Sequence, residues 1–192
     1  RLDENENNLR KYLKLNQCKY SDGSSKDIHY SIVMRFLYTR SLQSKFFETD
    51  QNCLFCRNNG FTEKEDIQHV MLFCPQAKKL WAYAEMIFSN LGLKIGNTEK
   101  ILGIQTSKHE NLCNLIIQIF QKTIWITRLR LEKRNKIDDP ILKFKKYLIF
   151  SLHNIRKMLN DDTFKQVFVY PGIVKISRYK LFLTLPPVTN GR

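Results

Sequence analysis

A chain of 192 residues with 43% hydrophobic side chains can bury a core, which excludes intrinsic disorder as its general state. No run of 18 or more apolar residues occurs, so no membrane-spanning helix is expected. The net charge of +14 is uneven: residues 1–50 carry +2, residues 51–110 carry +1 and residues 111–192 carry +11. A strongly basic C-terminal part suits a polyanion, either nucleic acid or an acidic membrane surface; the alternative is a solvated face that serves solubility. No basic start followed by an apolar stretch and a cleavage site is present, so no signal peptide is expected. A start at Arg1 rather than Met reads as a piece of a longer polypeptide.

Residues 1–26 form a polar leader, with a short helix over Leu9–Leu15 and a loop at Ser21–Ser25. Residues 27–50 read as a helix capped by Asp27. Its apolar stripe of Ile28, Ile32, Val33, Phe36 and Leu37 runs on toward Phe46 and Phe47.

Residues 51–90 read as a metal module with a following helix. Cys53 and Cys56 are separated by two residues, and His69 and Cys74 follow. Three thiols and one imidazole at this spacing are the donor set of a single structural Zn2+ in a tetrahedral shell. The Cys-x-x-Cys pair belongs on a tight turn, with Asn58, Asn59 and Gly60 supplying turn chemistry just after it. A short helix near Glu65–Phe73 then presents His69. Five residues along an ideal α-helix rotate by about 500°, about 140° off one face, so an unbroken helix cannot aim His69 and Cys74 at one ion. Pro75 resolves this, because the residue before a proline is pushed out of helical geometry. Pro75 also fits the first position of the next helix, whose apolar face is Ala77, Leu80, Trp81, Ala84, Ile87 and Phe88.

Residues 91–160 form a basic helical hairpin region. Glu99–Ile104 is short and apolar and its type stays open. The helix over 110–134 carries Leu112, Leu115, Ile116, Ile119, Phe120 and Ile124 as a stripe and ends in Arg128, Arg130, Lys133 and Arg134. Cations in a last turn also suit the helix dipole. Asp139 caps and Pro140 opens the next helix, decorated by Lys143, Lys145, Lys146, Arg156 and Lys157. A short connection implies an antiparallel pair that gathers both basic sets. Residues 161–192 are rich in β-branched and aromatic side chains around a Pro171-Gly172 turn. They read as short strands in a hairpin or as an extended tail, with Pro186-Pro187 and the polar end disordered.

The five cysteines are odd in number, and three of them cluster, which favours thiolates on a metal in a reducing, intracellular compartment over a disulfide framework. Cys113 reads as buried among Leu112, Leu115 and Ile116, and Cys18 as exposed. His29, His109 and His153 lack partners at ligand spacing and read as surface or satisfied histidines. Trp81, Tyr83, Phe88 and Trp125 read as core rather than as stacking platforms. The fold class expected is mainly α: a small Cys3His zinc module embedded in a helical domain, a basic helical hairpin, and a short β-hairpin at the end.

Cys53-x2-Cys56, an acidic stretch, His69-x4-Cys74-Pro75 and then Trp81 resemble the zinc-binding region that follows the reverse transcriptase in LINE-type (non-LTR) retrotransposon proteins. Arg35–Arg40 resembles the helical stretch leading into that finger. Ile101-Leu102-Gly103, Asn111, Ile124-Trp125 and Arg128 resemble the segment after it. The likeness is close over residues 53–81 and loose over 28–158, and the spacer from Cys56 to His69 is longer than in many members. The resemblance implies a non-catalytic region that binds RNA or DNA and supports the polymerase part of a parent protein copying RNA into DNA. It implies a place in nucleus and cytoplasm within a ribonucleoprotein, and no membrane partner. The chain has no Tyr/Phe-x-Asp-Asp motif for catalytic metals and no Pro-Asp dipeptide of the kind found in associated nucleases, so it is not expected to be an enzyme. Together with the resemblance, the charge pattern nominates Arg128, Arg130, Lys133, Arg134, Lys143, Lys145, Lys146, Arg156 and Lys157 for nucleic-acid contact. The alternative is a zinc-stapled docking domain without nucleic-acid contact.

Overall fold

The computed structural model describes residues 18–105, 109–134, 139–177 and 180–187, and the leader helix expected at Leu9–Leu15 lies outside them. The protein is mainly helical, with one two-stranded antiparallel sheet. Helix α1 spans Gly23–Val33. Its cap is Asp22, not Asp27: the Asp22 carboxylate accepts from the Ser25 amide at 3.0 Å and from the Ser25 hydroxyl at 2.7 Å.

The helix also ends sooner than the apolar stripe suggests. Arg35 turns left-handed at φ 60°, the Arg35 amide bonds the Ile32 carbonyl, and the Phe36 amide bonds the Ser31 carbonyl. These two bonds are the Schellman closure, with arginine at the position glycine usually holds. The chain therefore leaves the helix at Met34, and only one short turn, α2 at Arg40–Gln43, follows. Phe36, Phe46 and Phe47 stay exposed instead of joining the core.

Helices α3 (Leu54–Asn58) and α4 (Pro75–Asn90) flank the cysteine cluster, and α5 (Asn97–Leu102) types the segment left open by sequence. Glu99 accepts from the Gly96 amide at 2.8 Å at the start of α5. Helix α6 (Glu110–Arg134) is the axis of the fold, packing against α1, α3, α4, α7 (Pro140–Met158) and α8 (Asp161–Phe168). Leu112, Leu115, Ile116, Ile119 and Phe120 have no solvent exposure. Two of its buried polar residues are matched by backbone: Asn114 bonds both backbone groups of Ile104, at 2.8 and 2.9 Å, and Gln121 donates to the Lys100 and Ile101 carbonyls. Trp81, Phe120 and Phe144 tie α4, α6 and α7 together, the two phenylalanines stacking at 3.9 Å. Each buried ring of this ladder contributes roughly 1.5–3 kcal/mol.

Asp139 caps α7 by accepting from the Ile141 and Leu142 amides, and Pro140 sits in its first turn, as expected. Helices α6 and α7 pack on each other, with Phe120 stacked on Phe144 and Lys122 Nζ 5.4 Å from the centre of the Tyr147 ring.

Residues 166–168, read as strand-like, are helical. Asn160 caps α8 through the Thr163 amide at 2.8 Å, and Phe164 and Phe168 bury one turn apart. The hairpin that follows pairs β1 (Val174–Ser177) with β2 (Lys180–Leu183), Val174 opposite Leu183. Pro186 is packed, its carbonyl accepting from the Tyr83 hydroxyl at 3.0 Å, against the expected disorder of the proline pair. Residues 188–192, also expected to be disordered, lie outside the described chain. Cys18, expected at the surface, is fully buried, and burial raises its thiol pKa. No described helix is long and apolar enough to cross a membrane.

His29 is buried between α1 and α6, with Nδ1 2.9 Å from the Gln121 side-chain oxygen and Nε2 without a partner. Nδ1 is thus the donor, and protonating Nε2 would bury an N–H with no acceptor. Burial lowers the His29 pKa, with the Gln121 bond opposing. The unfolded chain then binds the proton more readily, so the stability from neutral His29 is whole above about pH 6.5 and drains away as pH falls below it. Urea midpoints of the wild type should drop between about pH 7.5 and about pH 5.5 by more than those of His29→Gln; equal drops would remove His29 from the acid response.

Candidate metal centre

The cluster is assembled from two short segments held by a small antiparallel clasp. The Cys53 amide donates to the Glu63 carbonyl and the Glu65 amide to the Gln51 carbonyl, both at 2.8 Å. Cys53 caps α3 and Cys56 lies in its first turn, so residues three apart share one helix face. The pair therefore begins a helical turn rather than a hairpin. Gly60, at φ 80°, closes that turn while the Phe61 amide bonds the Cys56 carbonyl at 2.9 Å.

The second segment solves the five-residue spacing in a way that was only half foreseen. Cys74 is extended, with φ −56° and ψ 134°, as a residue before proline should be. The turn before it is also widened: His69–Phe73 is a π-helix, and the Cys74 amide reaches the His69 carbonyl at 2.6 Å, five residues back. Closing a ring at five residues instead of four brings His69 and Cys74 nearer to one face. Asp66 steadies the entry by accepting from the His69 amide at 2.7 Å. The Trp81 indole N–H donates to the Met71 carbonyl at 2.6 Å, locking the π-turn to α4.

The four donors converge. Cys53 Sγ lies 4.0 Å from Cys74 Sγ, Cys56 Sγ lies 3.4 Å from His69 Nε2, and all four atoms fall within 4.8 Å of one another. All four residues are buried, and together they can hold a metal ion. Their protonation is mutually dependent. The hydrogen bond from Cys74 lowers the Cys53 pKa, and the same bond, with burial, raises that of Cys74. Burial and the Cys53 charge raise Cys56, and the bond to Cys53 raises His69. Ionising one thiol of the cluster therefore disfavours ionising the others.

One ion pair fastens the cluster to α6. Glu65 has no solvent exposure, and its Oε1 accepts from Arg128 Nε at 3.0 Å, Arg128 Nη2 at 2.7 Å and the Arg40 amide at 3.0 Å. Arg128 also bonds Glu132 and lies 5.1 Å from the centre of the Trp125 ring. Burial pushes the Glu65 pKa up despite Arg128. Arg128, expected to contact nucleic acid, is therefore corrected to a buried positioning residue. Glu65 was missed as a partner because the sequence shows an acidic spacer but not which carboxylate turns inward.

The other basic candidates divide by exposure. Lys143 is buried, Lys145 is half-buried with Nζ 5.5 Å from the centre of the Tyr83 ring, and Arg156 donates to Asp161 at 3.2 Å. Arg130, Lys133, Lys146 and Lys157 are exposed, and the Arg134 side chain lies outside the described part. Trp81, Tyr83, Phe88 and Trp125 are core, as expected. Comparison with known protein families, curated protein sequences and solved structures finds no match to this chain.

Removing one partner of a buried ion pair strands the other charge, at about 3–5 kcal/mol. Arg128→Ala should therefore lower unfolding free energy by about 3 kcal/mol in urea titration at fixed metal. The double variant Glu65→Leu/Arg128→Leu should lose less than Arg128→Ala alone; a larger loss in the double variant would contradict stranded charge as the cause.

Proposed function

We propose that Cys53, Cys56, His69 and Cys74 hold one structural zinc ion. We read the domain it shapes as a non-catalytic nucleic-acid-binding region of the kind that follows LINE-type reverse transcriptases. The spacing of the donor atoms carries the reading. Zinc bonds of about 2.3 Å to sulfur and about 2.0–2.1 Å to nitrogen, at tetrahedral corners, set S···S at about 3.8 Å and S···N at about 3.5 Å. The separations of 4.0 and 3.4 Å sit close to both values. Four protein donors close the shell, which favours a structural ion over one that activates water. A divalent cation would also reverse the upward pKa shifts of Cys56 and Cys74, making all three cysteines thiolates.

Nucleic-acid contact is supported by the basic groups that face solvent. Lys146, Phe150, His153 and Lys157 are exposed at i, i+4, i+7 and i+11, one face of α7. Arg130 and Lys133 are exposed in the last turns of α6. Cations on helix faces reach phosphates without reading bases, so affinity should depend steeply on salt.

Purified protein should contain about one zinc per chain and lose it in Cys53→Ser, by elemental analysis. Zinc retained in that variant would rule out the ligand set. RNA and DNA affinities measured across a salt series should fall linearly on a logarithmic plot. Replacing Lys133, Lys146 and Lys157 by alanine should flatten the slope by up to about 3; an unchanged slope would clear these residues of phosphate contact. No binding at any salt would favour the docking-domain alternative.

A further inference from the structure

Residues 30–47 contain Arg35, Arg40 and Lys45, five aromatic residues and no acidic residue. All five rings face solvent: Phe36, Phe46 and Phe47 are 66%, 69% and 60% exposed, and Tyr30 and Tyr38 nearly half. In a domain with a well-filled core this concentration of bare rings is unexplained by packing. Arg35 and Lys45 are exposed and form no ion pair among the described residues, whereas Arg40 Nε and Nη1 are buried. Arg35 and Lys45 line one groove of about 470 Å³, with Leu37, Leu42, Leu72 and Phe73 on its other walls. Asp66, the carboxylate on that wall, is engaged by the His69 amide.

The backbone adds a further observation. Three helices end in Schellman closures, and two of them place glycine, Gly60 and Gly92, at the left-handed residue. The third places Arg35 there, where a side chain is disfavoured. An exposed arginine where glycine fits better is accounted for when its guanidinium has work outside the fold.

We propose that residues 30–47 are a stacking platform for single-stranded nucleic acid, with bases on Phe36, Phe46 and Phe47 and phosphates on Arg35 and Lys45. Charge selects the occupant: a surface with two exposed cations, Arg35 and Lys45, no carboxylate in its segment and exposed rings matches a chain of aromatic bases on an anionic backbone. A protein segment would need the apolar groove but not the unpaired cations. The proposal rests on the nucleic-acid reading above and adds a strand preference to it. Bases paired inside a duplex cannot stack on side chains, so the platform takes single strands while the exposed cations of α6 and α7 take either form.

The test uses the zinc-loaded full chain and fluorescence anisotropy with a labelled oligouridylate and a duplex of equal length. Phe36→Ala, Phe46→Ala and Phe47→Ala should each weaken single-strand binding about 5-fold or more while leaving duplex binding and the salt slope unchanged. Phe46→Trp should keep wild-type affinity and show indole quenching on adding oligouridylate. Arg35→Gly should raise stability to urea yet lower single-strand affinity, opposite signs that a merely structural arginine would not give. Wild-type affinity in all three alanine variants would overturn the platform while leaving the nucleic-acid reading intact. Absence of any RNA or DNA binding by the wild type would overturn both and turn the groove toward a protein partner.

Discussion

Four buried donors from two segments must meet at one point, and that convergence dictates the local backbone on both sides. It sets Cys53 at a helix cap and Cys56 one turn on, so that two sulfurs leave one face. It widens His69–Phe73 into a π-turn and holds Cys74 extended before Pro75. Widened turns have poorer hydrogen-bond geometry than α-helix and persist where neighbours hold them. Here Asp66, Trp81 and Pro75 do so, from three sides. The convergence has an electrostatic counterpart: three thiols this close resist ionising together, since a thiolate on Cys53 raises its neighbours. A cation at the centre would remove that conflict, so geometry and charge both suit the occupant proposed above.

The cluster would be a loose knuckle without the ion pair behind it. Glu65 is the last residue of the clasp that carries Cys53, and Arg128 stands on the central helix, 63 positions away in sequence. Their contact fixes the knuckle against the axis of the fold, while the Trp81 bond fixes the π-turn against α4. Basic residues consequently fall into two populations. Arg128 and Lys143 are buried in the structure, whereas Lys146, Lys157, Arg130 and Lys133 face solvent. Net charge by itself cannot separate these populations, because burial depends on which carboxylate or ring the fold brings opposite.

That limit shows what was legible in the sequence. The four donors were, because their spacing is a local covalent fact, and α6 and α7 were, because periodicity, Asp139 and Pro140 agree. The break before Cys74 was legible from Pro75, but the π-turn was not, since the same residues are compatible with an α-helix until the ring must close on five. The end of α1 was hidden because its left-handed residue is Arg35 rather than glycine, so the apolar stripe read onward to Phe47. Residues 166–168 misled because β-branched and aromatic composition hid the Phe164–Phe168 spacing that buries one helical face. The first two misses are backbone states that composition does not mark, and the third is a local spacing that composition masks.

Under the proposed function, shape and contact fall to different parts of the chain. The donor cluster is enclosed between the clasp at residues 51–65 and the start of α4 at Pro75, which suits the structural role proposed for it. Just before the clasp lies the segment with exposed rings and unpaired cations, anchored to the cluster through the Arg40 amide and the Ser41 amide, both bonded to Glu65. The same glutamate holds Arg128. A single buried carboxylate thus connects the metal-binding knuckle, the central helix and the aromatic segment. With the proposed ion bound, its removal would act on that segment through Glu65, by freeing the clasp whose last residue it is.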